Sequence, residues 1–264
     1  MALRAKKRTV TCIGALVLSP ALIAQSFEYE VWWGHSRLHS MPPHFRRAGA
    51  LGTLTINDTG VSFEQKSQKG NEPTHPLAWH WDYPDIQQLK VSPKSLSVVT
   101  YQDNKWKLGA DRQYDFDLVS DNSFENAYQF LKTSLDQRFV AVIAESPTHT
   151  LWEIPVKHLT GFGGDEGVLQ VGTSEIVYKS AKKGESRTWR YQDIDNISSS
   201  GLFSLTITSF ERAKLDYGSR RQFNFQLKQR LEEARYNDLW LRLNQSKGLQ
   251  VLSSYRQAGS DGSR

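Results

Sequence analysis

The stretch RTWRYQDIDNI, Arg187–Ile197, restates an earlier one, WHWDYPDIQQL at 79–89. Trp81, Tyr83, Asp85 and Ile86 stand 108 residues before Trp189, Tyr191, Asp193 and Ile194, and an apolar residue follows three places later in each. Trp189 and Tyr191, two places apart, share one face of a strand. Asp193 then suits a corner, where a short carboxylate accepts bonds from free backbone N–H groups, and Ile194 and Ile197 return inward. Every residue type in the phrase has a structural use, and it occurs in both places despite different surrounding charge.

Working outward, the similarity continues in order. HFRRAGALGTLTI from His44 parallels HLTGFGGDEGVLQV from His158, which makes the two histidines candidate counterparts. Ser95-Leu-Ser-Val-Val-Thr parallels Ser204-Leu-Thr-Ile-Thr-Ser, and Tyr114-Asp-Phe-Asp-Leu parallels Phe223-Asn-Phe-Gln-Leu. Phe124, Ala127, Tyr128 and Leu131 parallel Tyr236, Leu239, Trp240 and Leu243. An ordered duplication of this kind sets the fold of the whole chain. Short alternating apolar runs between turn signals such as NDTG and SQKGNEP predict about six or seven strands per copy. The closing apolar stripe at 3.6-residue spacing predicts a terminal helix, with Asn122 and Glu125 at capping-box spacing in the first copy.

In the second copy, G-x-L-x-V, I-x-Y, S-R-x-W-x-Y-x-D-I, S-L-x-I-x-S, F-N-F-Q-L-K and Y-x-x-L-W together resemble the tandem PH/GRAM-like barrel repeats of secreted bacterial proteins of unassigned function. The resemblance covers about 155–245. The first copy departs from it at Pro84 and in a longer loop at 68–76. It implies a mainly β, α+β fold: two tandem PH-like antiparallel β-barrels, each closed by a C-terminal amphipathic helix. It implies no activity, since fold and function separate. The expected organisation is a leader at 1–26, an aromatic-rich extension at 27–45, one unit at 46–138, a linker with a strand at 139–152, a second unit at 153–246 and a flexible tail at 247–264.

The leader has a basic start (Arg4, Lys6, Lys7, Arg8) and an apolar stretch from Val10 to Ala24, with small residues at Ala24 and Ser26. This is the pattern of a secretory signal peptide and predicts a secreted or periplasmic protein. An uncleaved N-terminal anchor and a buried helix remain as alternatives. Of the five net positive charges, the four basic residues of 1–26 account for four, leaving +1, so nucleic acid is not an expected partner. Cys12 is the only cysteine and lies in the leader, which excludes disulfides and thiolate chemistry from the remainder.

Charge separates the copies. Residues 51–135 carry eight Lys/Arg and eleven Asp/Glu, a net of −3; residues 167–244 carry thirteen and nine, a net of +4. Lys179, Lys182, Lys183, Arg187 and Arg190 form a candidate contact for an anionic lipid or glycan, although Glu185 interrupts the basic run. His35 and His39 have i, i+4 spacing, but Gly34, Pro42 and Pro43 oppose the helix that a metal pair would need. Gly161–Gly167 leads into a strand rather than a helix, unlike a phosphate loop. Asp193/Asp195 and Glu232/Glu233 show no acid/base asymmetry. No catalytic motif, metal site or cofactor site is expected. The expected function is a non-catalytic extracytoplasmic binding or structural module whose partner is a protein or envelope component. The alternatives are a hydrolase with a site between the two units and an envelope-anchored scaffold that uses the basic hairpin.

Overall fold

A computed structural model describes residues 25–34, 49–67, 76–104, 111–136, 138–147, 149–161, 163–213 and 219–248. The leader up to residue 24, His35, His39, His44, the loop with His75 and the tail from 249 lie outside the described residues.

The chain is mainly β with two helices. The first repeat contains β1 (Phe27–Trp33), β2 (Ala50–Ile56), β3 (Gly60–Gln65), β4 (Ala78–Asp82), β5 (Ile86–Val91), β6 (Ser95–Asp103), β7 (Asp111–Leu118) and α1 (Glu125–Ser134). A short strand follows, β8 (Phe139–Ala141). The second repeat has β9 (Thr150–Thr160), β10 (Gly163–Gly172), β11 (Glu175–Ser180), β12 (Arg187–Arg190), β13 (Ile194–Ser198), β14 (Ser204–Arg212), β15 (Arg220–Leu227) and α2 (Glu233–Ser246). The first part of the aromatic segment expected at 27–45, Phe27–Trp33, is thus β1, paired antiparallel with both β2 and β7.

Period-two patterning decides which side chains turn inward. In β2, Ala50, Gly52, Leu54 and Ile56 are buried and the residues between them are not. In β14 the same alternation buries Leu205, Ile207, Ser209 and Glu211. Two apolar clusters result. Leu54, Phe63, Phe116, Phe124 and Leu131 belong to one. Tyr178, Phe223, Phe225, Leu239 and Leu243 belong to the other. Each helix lays an apolar stripe on its own cluster, Ala127, Tyr128 and Leu131 from α1 and Leu239 and Leu243 from α2, but Trp240, expected in the second stripe, is exposed. The expected capping box at Asn122 does not form: the N-cap of α1 is Phe124, without a side-chain cap bond, and the Ser123 hydroxyl before it accepts from the Glu125 N–H at 3.2 Å.

The two phrases occupy equivalent places. Trp81 and Trp189 are the second-last residues of β4 and β12, and a 3-10 turn follows each strand, Tyr83–Asp85 and Tyr191–Asp193. The tyrosine hydroxyls reach back to the carbonyls of Asn57 (2.7 Å) and Gly172 (2.6 Å). Asp193 is buried and accepts the Arg190 N–H at 3.1 Å, whereas Asp85, in a turn holding Pro84, is exposed. Gly52 and Gly167 are also equivalent. A Cβ there would fall 2.3 Å from the Glu64 carbonyl oxygen and 2.2 Å from that of Lys179, so only glycine fits.

The expected pair of closed barrels is not formed. One open 15-stranded sheet runs β13-β14-β15-β9-β10-β11-β12-β8-β5-β6-β7-β1-β2-β3-β4. Each repeat contributes the same local order, with its fourth and fifth strands unpaired to each other. The physical reason lies in β8. It pairs parallel with β5, which uses the backbone groups that barrel closure would need: the Leu89 N–H donates to the Arg138 carbonyl (2.8 Å) and the Val142 N–H to the Val91 carbonyl (2.7 Å). The other edge of β8 meets β12 antiparallel, at Ala141 and Thr188.

Candidate functional site

The five basic residues singled out in the second repeat do not share a surface. Lys182 and Lys183 are exposed at the β11–β12 hairpin tip. The Lys179 ammonium donates to the Ser146 hydroxyl at 2.8 Å. Arg190 chelates Asp193 (2.8 and 2.7 Å) and donates to the carbonyls of Leu135 and Asp136, both at 2.6 Å, and of Lys132. These carbonyls lie at and just beyond the C-terminus of α1, where orphan acceptors collect and a cation is favoured. Burial pushes the Asp193 carboxyl above its ordinary range despite Arg190. Both of its oxygens are engaged by Arg190, so it is not free to exchange protons with a substrate.

Arg187 is buried inside the corner between β12 and the β14–β15 hairpin. There Glu211 meets Arg221 at 2.6 Å, Lys90 at 3.3 Å and Arg187 at 3.9 Å. Burial alone would raise the Glu211 carboxyl; the three cations outweigh it and hold it low. Burial lowers the Lys90 ammonium, with Glu211 opposing and the two arginines adding to the shift. Lys90 comes from β5 of the first repeat, and Gln88 beside it donates to the Phe210 carbonyl at 3.4 Å. The first repeat therefore plugs the open corner of the second. Arg212 and Asp111, 2.7 Å apart, fasten the same junction.

A cleft of about 630 Å³ lies where α1 and α2 approach the β10–β11 turn. Its charged groups are already committed: Lys132 to Glu145 (2.8 Å) and Glu175 (2.7 Å), Arg242 to Asp238 (2.7 Å), and Arg190 as above. Burial lowers the Lys132 ammonium, but the two carboxylates outweigh it and raise it overall. The cleft offers no carboxylate poised for proton transfer.

One buried constellation contains Ser, His and Asp. Asp165 accepts from Tyr178 (2.5 Å) and Ser180 (2.6 Å), and lies 3.2 Å from His158 Nδ1. Serine and histidine both bond to the aspartate, so the serine lacks the base that a nucleophilic triad requires. Burial keeps His158 below its ordinary range, against the pull of Asp165. His158 lies on β9, two places after Val156. Gly167 faces Val156 just as Gly52 faces Val31, which makes Trp33 the structural counterpart of His158. The longer segment between β1 and β2 displaced the sequence match to His44. Among the described residues, no group of three or more His, Asp or Glu could hold a metal ion.

The remaining feature is the first repeat's version of the plugged corner. It is a cavity of about 430 Å³ lined by Trp79, His80, Tyr101, Gln102, Arg112 and Tyr114, among others. Ladder register equates Thr100 with Ser209 and Tyr114 with Phe223, so Gln102 stands where Glu211 does and Arg112 where Arg221 does. Trp79 and His80 likewise stand where Arg187 and Thr188 do. Three of the compared positions, Trp79, His80 and Gln102, are more open than their counterparts Arg187, Thr188 and Glu211. His80 and Gln102 are exposed where Thr188 and Glu211 are buried, and Tyr101 is 60% exposed. Arg112 donates to Gln102 at 3.2 Å, a neutral version of the Arg221–Glu211 pair. Trp79 leans on Trp33, Phe63 and Tyr114, which fixes an aromatic floor. Among the described residues β4 is the terminal strand of the sheet, whereas its counterpart β12 has β8 beside it. These lining residues carry no motif. The signal in the sequence is substitution between the copies, Trp79 for Arg187 and Gln102 for Glu211.

No protein-family model and no curated protein matches the chain. Among solved structures, the C-terminal domain of an unknown protein from Leishmania infantum aligns at 14% identity and a TM-score of 0.28, covering 36% of this chain and 83% of that one. The Spt16D Pob3N heterodimer aligns at 10% identity and a TM-score of 0.26, covering 70% of this chain and 82% of that one. At such scores neither likeness carries an inference about fold or function.

Proposed function

We propose that the chain is a non-catalytic extracytoplasmic binding module built of two PH-like repeats, each opened between its fourth and fifth strands. Its contact surface is the β4 edge and aromatic corner of the first repeat. The observation that carries this reading is the contrast between equivalent edges: β12 is covered by β8, while β4 ends the sheet. An uncovered edge strand is a template for an added strand, with backbone bonds giving affinity and flanking pockets giving selectivity. The partner is an extended segment of a protein. Of the basic hairpin only Lys182 and Lys183 stand fully at the surface, which favours strand addition over an anionic lipid or glycan contact.

A peptide with the sequence of residues 138–144, which contains β8, is a direct probe. It should quench or shift Trp79 fluorescence on titration, and H80E with Y101E should abolish the effect. Both side chains are exposed, so folding is preserved. Unchanged binding in that double variant would overturn the reading; so would loss of binding on charge reversal at Lys182 and Lys183.

A further inference from the structure

The internal junction consists of three strands, β5-β8-β12. The two ends of the sheet are the two halves of that junction. At one end lies β4, equivalent to β12. At the other lies β13, equivalent to β5 by the pairing of Ile86 with Thr100 and of Ile194 with Ser209. The middle strand also has a candidate. β8 begins five residues after α1 ends at Ser134; five residues after α2 ends at Ser246 comes Val251, within Leu249-Gln-Val-Leu-Ser-Ser-Tyr255.

We infer that the occupant of the β4 edge is residues 249–255 of a second copy of this chain, laid beside that copy's β13, so that copies join head to tail. This rests on the β4 edge being the contact surface. It commits to the partner on two grounds. The first is the internal precedent: the chain already makes this junction once, between its own repeats. The second is charge. The repeat that would present the tail carries +4 over 167–244, and the repeat that would receive it carries −3 over 51–135, with Asp82 and Asp85 exposed beside the corner. Opposite charge on the two faces favours this pairing and disfavours like-with-like association.

The external junction differs from the internal one in a definite way. Lys90, Arg187 and Glu211 are replaced by Ser198, Trp79 and Gln102. The internal corner holds buried charges that must stay partnered. The external corner is largely aromatic, and its charged lining groups, Arg112 and the exposed Asp85, are not deeply buried, so it tolerates solvent when empty. The association is therefore reversible, and because the contact is heterologous it extends into chains or closes into rings.

The test uses two variants of the full chain. One lacks residues 249–264 and keeps an open corner; the other carries H80E and Y101E and keeps its tail. Sedimentation velocity over a concentration series should show the unmodified chain forming species beyond a dimer, each variant alone remaining monomeric, and an equimolar mixture forming a 1:1 dimer and nothing larger. Circular dichroism of each variant checks that it folds. Persistent monomer in the unmodified chain, or assembly that survives either change, overturns the inference. If the unmodified chain stays monomeric while the 138–144 peptide still protects β4, the partner is wrong and the contact surface stands. If both fail, the surface falls too.

Discussion

Lys90 of β5 lies 3.3 Å from Glu211 of β14, a contact that spans 121 positions and joins one repeat to the other. It is the only cation of the cluster supplied by the first repeat; Arg187 and Arg221 come from the second. Removing the anion should be severe. Glu211→Ala leaves three cations facing one another in a buried corner and should cost about 3–5 kcal/mol in urea unfolding. Lys90→Met leaves Glu211 two arginine partners and should cost less than half as much. Equal losses in the two variants would contradict this account of the cluster.

Arg190 ties the second repeat's turn to the end of the first repeat's helix. Arg190→Met should expose the α1 carbonyls to solvent and leave the buried Asp193 without its cation, at a cost of about 3 kcal/mol. Arg190→Lys should recover only part of this, since a point charge cannot chelate the carboxylate and reach the carbonyls together. Chemical denaturation of both variants checks the order.

His158 predicts a pH dependence. Its pKa in the folded state is lowered, chiefly by burial, so the unfolded chain binds the proton more readily. The stability it contributes is present above the ordinary histidine value of about 6.5 and is lost as pH falls below it. His158→Gln should flatten the stability profile between about pH 7 and pH 5. The carboxylates titrate lower and should leave a separate acid limb. An unchanged slope in that window would contradict the assignment.

Gly167→Ala should destabilise the second repeat by more than about 1 kcal/mol, because the new Cβ would meet the backbone carbonyl of Lys179 rather than a side chain that can move. Gly161→Ala, with nothing within 4 Å of its Cβ position, should be near neutral. Thermal unfolding of the pair compares them directly.

The duplication, the strands and the helix faces were legible because each rests on local pattern: Trp81 and Trp189, the alternation through Leu205 and Ile207, the stripe through Leu239 and Leu243. Barrel closure was not legible. It depends on whether β5 spends its outer edge on β4 or on β8, a competition between distant segments. The basic run at 179–190 read as a surface because its partners are remote in sequence: Glu211 for Arg187, and the carbonyls of 132–136 for Arg190. One signal was available. Continuing the inward parity of Leu205, Ile207 and Ser209 puts Glu211 inside, and a buried glutamate calls for cations. The open corner could be found only by comparing the copies in register, since Trp79, Gln102 and Arg112 carry meaning through what replaces them.

The most direct test of the β4 edge as the contact surface is hydrogen–deuterium exchange over Ala78–Asp82, with and without the 138–144 peptide. The amides of this edge should exchange readily in the dilute chain and become protected on binding, while β12 stays protected throughout by β8. Protection gained elsewhere on the chain, with exchange over Ala78–Asp82 unchanged, would contradict the proposal.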